Sequence, residues 1–266
     1  MIIIKIGGSI VDGLHSSTIQ DIAKFAKNGL VIVHGGGKDV SSMCEKLGKE
    51  PKFVTSPSGI RSRYTDKETI QIFTMVMAGK INTSIVQQLQ QHGINAIGLC
   101  GADANFLRAD RKKKLLIMNE NNRRQAIDGG YTGKIKSVND SFLHSLLDMG
   151  LVPVISPLAL SEDHEFLNVD GDRAAASVAG AMHADTVLFI TNVDGLLMED
   201  KLVSHLTLQE AKDIRPKIGP GMEKKILAST EALDMGVRRV IIANGTRENP
   251  ISCAINHEKC TVISND

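Results

Sequence analysis

Short apolar runs that alternate with amphipathic stretches predict an α/β protein with a mostly parallel central sheet. The runs Ile2–Ile6 and Leu30–His34 are almost continuously apolar, and each leads directly into glycines. Strands of this kind are typical of a sheet that helices cover on both faces. Further strands are expected at 94–100, Val152–Ile155, 186–191 and 237–243, and helices at 17–28, from about 38, and at 65–92, 171–183 and 221–235.

The longest helical pattern runs from 65 to 92 and places apolar residues along one side. Thr65 is followed three residues later by Glu68, which is the spacing of a capping box. We therefore predict one continuous helix whose first turn is capped by Thr65.

Residues 105–139 interrupt the alternation of strands and helices. Short apolar runs lie there among many charged residues and end at Gly129 and Gly130, which predicts β-hairpins that project as a flap. No linker composition divides the chain. We therefore expect two lobes, 1–160 and 161–266, that share one continuous sheet.

The composition excludes several classes of partner. The 266 residues include 31 basic and 30 acidic side chains, a net charge of +1, and no Trp. Neither nucleic acid nor a membrane is therefore expected as the main partner. The four cysteines form no CxxC pair and no grouping with His that is typical of a metal site, and no apolar run approaches membrane-spanning length. We expect a cytoplasmic protein with no metal site of its own.

Two glycine turns, Gly7-Gly8 and the triplet 35–37, follow the first two predicted strands. Glycine lets the backbone approach a ligand closely, and amides at a helix N-terminus bind phosphate oxygens. For either glycine segment taken alone, a purely structural tight turn is the alternative to a ligand site. Because both lie at the carboxyl ends of strands, we favour a ligand site at that edge of the sheet. The GxGxxG and Walker A patterns are both absent.

Charged residues near these turns are candidates for the chemistry. Lys5 is the only charge in its strand and comes just before the first glycine turn, so its ammonium is expected near the phosphate site. Asp172 opens a predicted helix, where it could cap helix amides or orient lysines. Two lysines of the segment 219–225 open another helix. Cations are unfavourable there unless an anion is near, a role that Glu223 could partly fill.

Together these segments resemble the amino acid kinase family, in particular its acetylglutamate kinase branch. The resemblance runs nearly end to end and covers seven motifs. They are KIGG (5–8), HGGG (34–37), RYTD (63–66), MVMAGKIN (75–82), GLCGAD (98–103), NVDGD (168–172) and GPGMEKK (219–225). The resemblance implies a three-layer αβα, carbamate kinase-like fold and phosphoryl transfer from ATP to a carboxylate.

The resemblance also implies roles for individual residues. Lys5 and Lys225 would stabilise the transferring phosphoryl group, and Asp172 would hold the lysines in place. The binding residues it implies are Gly7, Gly8 and Gly35 for phosphate, Gly36, Gly37, Arg63 and Asn168 for the acceptor, and Thr191, Asn192, Asp194, Gly195 and Gly221 for ATP. Mg²⁺ would be held mainly by the nucleotide phosphates.

Two of these assignments have a neighbour that competes for the same role. Spacing from the glycine at 221 favours Lys225 over Lys224. Arg61 competes with Arg63 for the acceptor, although an exposed loop arginine is usually only solvated. Proximity to Thr65 favours Arg63.

Within the branch, the segment 55–68 and the flap resemble kinases whose substrate is tethered to a small acidic amino-group carrier protein, LysW. This implies phosphorylation of the side-chain carboxylate of carrier-linked α-aminoadipate or glutamate, in lysine and arginine biosynthesis. Residues 104–136 contain nine basic and three acidic side chains, a net +6. That charge could steer an acidic carrier or belong to a solvated hairpin face.

Two alternatives remain open. One is an acetylglutamate kinase that acts on the free amino acid derivative. The other is a silent regulatory or binding protein, which would be expected to have lost Lys5, Asp172 or Lys225. The resemblance further implies that the lobe 1–160 binds the acceptor and dimerises through the 65–92 helix, while the lobe 161–266 binds ATP.

Overall fold

The computed structural model describes residues 1–8 and 14–265. Its strands are β1 (Ile2–Ile6), β2 (Leu30–His34), β3 (Phe53–Thr55), β4 (Arg61–Arg63), β5 (Ala96–Leu99), β6 (Leu107–Arg111), β7 (Lys114–Met118), β8 (Arg124–Asp128), β9 (Gly133–Val138), β10 (Val152–Ile155), β11 (Leu158–Leu160), β12 (Phe166–Asn168), β13 (Thr186–Thr191), β14 (Leu197–Met198), β15 (Lys201–Leu202), β16 (His205–Thr207), β17 (Arg239–Asn244) and β18 (Thr261–Ser264). Its helices are α1 (Ser16–Ala26), α2 (Gly37–Lys46), α3 (Lys67–Thr74), α4 (Asn82–Gln91), α5 (Asp140–Asp148), α6 (Gly171–Ala181), α7 (Leu208–Ile214), α8 (Met222–Asp234) and α9 (Pro250–Ile255). Over these described ranges, no helix combines the length and the apolar character needed to cross a bilayer.

An eight-stranded sheet lies at the centre of the molecule, in the order β16-β18-β17-β13-β1-β2-β10-β5. The six strands from β17 to β5 are parallel, whereas β18 is antiparallel to β17 and parallel to β16. The predicted α/β class with a mostly parallel sheet is confirmed. Strands from both proposed lobes meet in this sheet at β1 and β13, while the division at residue 160 stays a prediction.

Each face of the central sheet carries its own apolar core. Ile3 belongs to one core together with residues of α6 and α8, and Ile4 to the other together with residues of α1 and α4. Successive strand residues point to opposite faces. The three layers therefore explain why β1, β2 and β13 are apolar at nearly every position.

The long helix predicted at 65–92 is present, but its start and its middle differ from the prediction. It begins at Lys67, and the N-cap is Asp66, whose side chain accepts a hydrogen bond from the amide of Thr69. The predicted capping box is wrong because the Thr65 hydroxyl accepts a hydrogen bond from Asn168 Nδ2 instead. A π-helical segment, Met75–Ile81, joins α3 to α4.

The predicted flap is confirmed as two nested antiparallel pairs. β6 pairs with β9, and the β7–β8 hairpin projects from between them. The flap is tied to the β11–β12 hairpin by two ion pairs, Arg111 with Glu165 and Lys136 with Glu162. β6 also pairs with β11, so the flap is an extension of a second sheet.

Candidate active site

Three neighbouring strands of the sheet, β13, β1 and β2, end at the same edge of the molecule. Gly7 and Gly8 follow β1, the glycine triplet follows β2, and the segment from Asn192 follows β13. Because these strands are parallel, their carboxyl ends lie side by side. The sheet therefore brings together segments that are as much as 185 residues apart in sequence, from Gly7 to Asn192.

The two glycine turns pack directly against each other. A Cβ on Gly8 would lie 2.9 Å from the amide nitrogen of Gly36, and a Cβ on Gly35 would lie 2.9 Å from that of Gly8. Gly36 has φ 158°, and a side chain there would collide with Ile81 and Met77 of the π-helical segment. Glycine at these positions is thus a packing requirement.

The backbone amides divide the glycines into two groups. Gly7 N–H donates to Ile190 O at 2.9 Å, and Gly35 N–H donates to Ile6 O at 2.8 Å. The sheet therefore uses the amides of Gly7 and Gly35, and a phosphate-binding role for these two residues stays a prediction. The amides of Gly8, Gly36 and Gly37 make no hydrogen bond to another described residue, so they are available to a ligand.

Asp172 lies between the two predicted catalytic lysines. Lys5 Nζ forms an ion pair with Asp172 Oδ1 at 2.6 Å. Lys225 Nζ donates a hydrogen bond to Asp172 Oδ2 at 3.0 Å. Asp170 caps α6 by accepting from the amides of Asp172 and Arg173. Because Asp170 satisfies the helix amides, the carboxylate of Asp172 is left for the lysines.

The charges of this cluster do not balance. Burial would raise the pKa of Asp172, but Lys5 and Lys225 outweigh burial and hold that pKa below its usual range. The pKa of Lys225 is lowered by burial and by Lys5, and the opposing effect of Asp172 is smaller. Two ammonium groups share one carboxylate, so the buried cluster carries a net positive charge. Such a cluster is suited to an anion.

Two cavities meet at Lys5, which lines both of them. The first, of about 560 Å³, lies on the side of β2 and the flap, and is called here the acceptor cavity after the predicted acceptor residues that line it. The second, of about 490 Å³, lies on the side of β13 and α8, and is called here the nucleotide cavity after the predicted ATP-binding residues that line it. Successive residues of α8 serve different cavities, since Lys224 lines the first and Lys225 the second.

The acceptor cavity contains the predicted acceptor residues Gly36, Gly37, Arg63 and Asn168. Arg63 Nη2 donates to Gly37 O at 2.7 Å and to Ser41 Oγ at 2.6 Å. Its Nη1 is buried and has no partner among the described residues. The Arg63 guanidinium is thus held in place with one nitrogen left for a ligand.

The competing residues differ in their contacts. Arg61 and Arg63 both line the acceptor cavity, and their guanidinium groups lie over the Phe53 ring at 4.4 and 4.9 Å. Arg63 is distinguished by its hydrogen bonds to Gly37 O and Ser41 Oγ. Lys224 Nζ lies 3.8 Å from Asp170, not beside Asp172. Among the described residues, Lys225 and Lys5 are therefore the lysines that contact Asp172.

The nucleotide cavity includes four of the five residues predicted to bind ATP, namely Thr191, Asn192, Gly195 and Gly221. Asp194 does not line it. The Asp194 carboxylate is held by Arg247 at 2.6 Å and accepts a hydrogen bond from Asn244 Nδ2 at 2.9 Å. The Asp194 carboxylate thus ties the loop after β13 to the end of β17 and the loop that follows, and its role in binding ATP stays a prediction.

His34 is a buried residue of the site to which sequence reasoning assigned no role. Its Nδ1 must carry the proton because it donates to Gly35 O at 2.9 Å, and its Nε2 accepts from Asn82 Nδ2 at 3.2 Å. Asn82 also donates to Val154 O at 2.8 Å. Burial lowers the pKa of His34 to about 4, and Lys5 acts in the same direction. A neutral His34 thus links the glycine triplet to α4 and β10.

No group of three or more His, Cys, Asp or Glu side chains within 1–8 and 14–265 is arranged to hold a metal ion. Both oxygens of Asp172 already face lysines. The described side chains therefore offer no metal cage at the junction of the cavities.

Residues 1–244 match the model of the amino acid kinase family. The chain belongs to this family, which makes it a phosphotransferase. A relative from Sulfolobus acidocaldarius, named LysW-aminoadipate/LysW-glutamate kinase, is 44% identical over 99% of this chain and 100% of its own length. A relative from Nitrosopumilus maritimus, provisionally given the same name, is 72% identical over the full length of both chains.

Solved structures support the fold. A Streptococcus mutans protein superposes with a TM-score of 0.81 at 23% identity, covering 100% of this chain and 98% of the other. Carbamate kinase from Giardia has a TM-score of 0.68 at 13% identity, with 100% and 98% of the two chains covered. The predicted carbamate kinase-like fold is thereby confirmed.

We predict that His34 makes the stability of the protein fall in mild acid. Its folded-state pKa of about 4 is below the ordinary 6.5, so the unfolded chain binds the proton first. The contribution of His34 is complete above pH 6.5 and is lost as the pH falls towards 4, by roughly 3 kcal/mol. Denaturant unfolding across this range should show a steeper pH dependence for the wild type than for His34→Gln; equal slopes would contradict a buried neutral His34.

Proposed function

We propose that the protein uses ATP to phosphorylate the side-chain carboxylate of α-aminoadipate, glutamate or both, each linked to an amino-group carrier protein. The product is an acyl phosphate, and the reaction belongs to lysine and arginine biosynthesis. The observation that carries the proposal is the Lys5–Asp172–Lys225 cluster at the junction of the two cavities. The names of the relatives support carrier-linked aminoadipate and glutamate as acceptors.

In this proposal ATP lies in the nucleotide cavity and the acceptor carboxylate in the acceptor cavity. A carboxylate oxygen forms a bond to the γ-phosphorus as the bond to the β-phosphate oxygen breaks, which releases ADP. The carboxylate is already a nucleophile, so no general base is required. Catalysis consists of positioning and charge stabilisation, and Lys5 and Lys225 supply the positive charge. Bound Mg²⁺, held mainly by the nucleotide phosphates, would neutralise part of the phosphate charge.

Asp172 acts in this scheme as a positioning residue. Lysine side chains are flexible, and two neighbouring ammonium groups repel each other. One carboxylate oxygen for each lysine keeps both ammonium groups at the junction of the cavities. The free amides of Gly8, Gly36 and Gly37 would bind oxygens of the phosphoryl group and the acceptor.

Neither alternative is favoured. A silent binding protein has no need of a buried cluster with excess positive charge, and this chain keeps all three residues in contact. A kinase for free acetylglutamate would share the cluster. The names of the relatives and the basic flap favour the carrier-linked acceptor instead.

Removing either lysine should slow the chemical step more than it weakens binding. Lys5→Ala and Lys225→Ala are each expected to lower kcat by about 10²–10³, with KM changed only a few-fold, because their charge matters most in the transition state. Steady-state kinetics with saturating ATP measure both constants. Lys224→Ala is the matched control and should lower kcat by less than about tenfold. Near-normal turnover in either single variant would refute the assigned role.

The acceptor is tested by comparing turnover of ATP with carrier-linked aminoadipate, carrier-linked glutamate and free acetylglutamate. We expect both carrier-linked compounds to have a higher kcat/KM than free acetylglutamate. One methylene distinguishes the two carrier-linked acceptors, which corresponds to about 1–3 kcal/mol of discrimination in a pocket. A preference for free acetylglutamate would establish the alternative kinase.

The flap is proposed to steer the acidic carrier to the acceptor cavity. Arg111 and Lys136 are neutralised by ion pairs with Glu165 and Glu162. Exposed basic residues of the flap that form no ion pair within the described chain are Lys113, Lys114, Arg123, Arg124 and Lys134. Their charges act over about a Debye length and raise association rates.

Reversal of two flap charges should slow the use of the carrier-linked acceptor. The double substitution Lys113→Glu and Lys114→Glu is expected to reduce kcat/KM on the order of tenfold at low salt, because it repels an acidic partner. The difference from wild type should shrink as ionic strength rises. If the rate and its salt dependence are unchanged, the carrier docks elsewhere.

We further propose a cytoplasmic homodimer that forms through the long helix. The resemblance of this helix to the dimer-forming element of the amino acid kinase family supports the proposal. The four cysteines form no disulfide, which is usual in a reducing compartment. Sedimentation equilibrium distinguishes a dimer from the 28.7 kDa monomer.

A further inference from the structure

The run of basic residues at 111–114 divides between two environments. Lys112 is half-buried and lines the acceptor cavity. Lys113 and Lys114, directly after it, are exposed and do not line that cavity. The sequence shows three equivalent lysines, whereas the fold directs only the first of them towards the acceptor.

The backbone around Lys112 is held by the turn that precedes β9. Lys112 N–H donates to Thr132 O at 2.9 Å, and Gly129 N–H donates to Lys113 O at 3.1 Å. A side chain on Gly129 would collide with the carbonyl of Lys112. The lysine therefore projects from a fixed corner between β6 and β7 and not from the outer end of the hairpin.

Lys112 lacks a counter-ion among the described residues. Burial lowers the pKa of Lys112 first, Arg173 and Lys134 of the same cavity wall lower it further, and the opposing effect of Asp170 is the smallest. The carboxylate of Asp170 is already engaged, because it accepts hydrogen bonds from two amides of α6 and lies 3.8 Å from Lys224 Nζ. A half-buried ammonium in this position is stabilised by a bound anion.

We propose that Lys112, assisted by Lys134, binds a carboxylate of the acceptor other than the one that is phosphorylated and other than any held by Arg63. The inference rests on the proposed function and deepens it. The proposal means that the acceptor cavity prefers acceptors that carry a further carboxylate besides the one that is phosphorylated. Two sources share this chemistry, namely the α-carboxylate of the bound amino acid and a carboxylate of the carrier residue that holds it.

The test compares Lys112→Met, Lys112→Arg and Lys113→Met with carrier-linked aminoadipate. Lys112→Met should raise KM at least tenfold with kcat changed less than threefold, and Lys112→Arg should restore most of the affinity. The loss in Lys112→Met should persist in high salt, because a half-buried contact is poorly screened. Lys113→Met should lose affinity at low salt only. Equal KM values and salt profiles for the two methionine variants would overturn the proposal.

Two free acceptors separate the sources. N-acetyl-aminoadipate carries the α-carboxylate but lacks the carrier residue. The corresponding compound whose α-carboxylate is converted to a carboxamide, called here the α-amide, lacks both the α-carboxylate and the carrier residue. If the α-carboxylate binds Lys112, then Lys112→Met should weaken the binding of N-acetyl-aminoadipate at least tenfold and leave the binding of the α-amide nearly unchanged. If the carboxylate belongs to the carrier residue, the loss should appear only with the carrier-linked acceptor. If Lys112→Met binds the carrier-linked acceptor, N-acetyl-aminoadipate and the α-amide as tightly as the wild type does, the proposal is overturned.

Equilibrium binding keeps this test separate from that of the proposed function. Failure of the wild type to turn over carrier-linked acceptors would refute the proposed function. Glutarate and butyrate, which differ by one carboxylate, can still be measured by calorimetry without turnover. The wild type should prefer glutarate, and Lys112→Met should lower that preference at least fivefold. An unchanged preference, together with unchanged affinity of Lys112→Met for the carrier-linked acceptor, would refute the role of Lys112.

Discussion

The contact of one buried carboxylate with two ammonium groups determines how the rest of the site is built. Asp172 neutralises only part of the charge of Lys5 and Lys225, so the cluster retains an excess positive charge away from water. A charge in that setting is costly unless an anion joins it. In the proposed reaction a transferring phosphoryl group would supply that anion, and the two cavities meet at the cluster.

The glycines and His34 set the distances around this cluster. Gly8 and Gly36 pack so closely that a Cβ on either turn would meet the backbone of the other or the π-helical segment. The hydrogen bonds of His34 to Gly35 and Asn82 fix the glycine triplet 35–37 to α4. A neutral imidazole is essential there because a second proton would remove the acceptor for Asn82 and add a charge near Lys5. Close packing and one tautomer therefore keep the available amides in place.

At three predicted site residues the structure shows a hydrogen-bond partner that the sequence did not indicate. Gly7 and Gly35 were correctly placed at strand ends, but the sheet uses their amides. Asp194 is in the expected segment, yet Arg247 and Asn244, from a distant part of the chain, hold its carboxylate. In each case the position along the chain was predictable. The hydrogen-bond partner was not, because it comes from a strand or loop far away in sequence.

The class of fold, the strand ends that form the site, and the candidate residues Lys5, Asp172 and Lys225 were predictable because hydrophobic periodicity, glycine turns and the order of motifs are all visible along the chain. Which of these groups meet depends on the folded arrangement. It separated Lys224 from Lys225 between two cavities and directed Lys112, but not Lys113, towards the acceptor. Burial and pairing depend on contacts between distant segments, and these decide which charges are neutralised and which are left for a ligand.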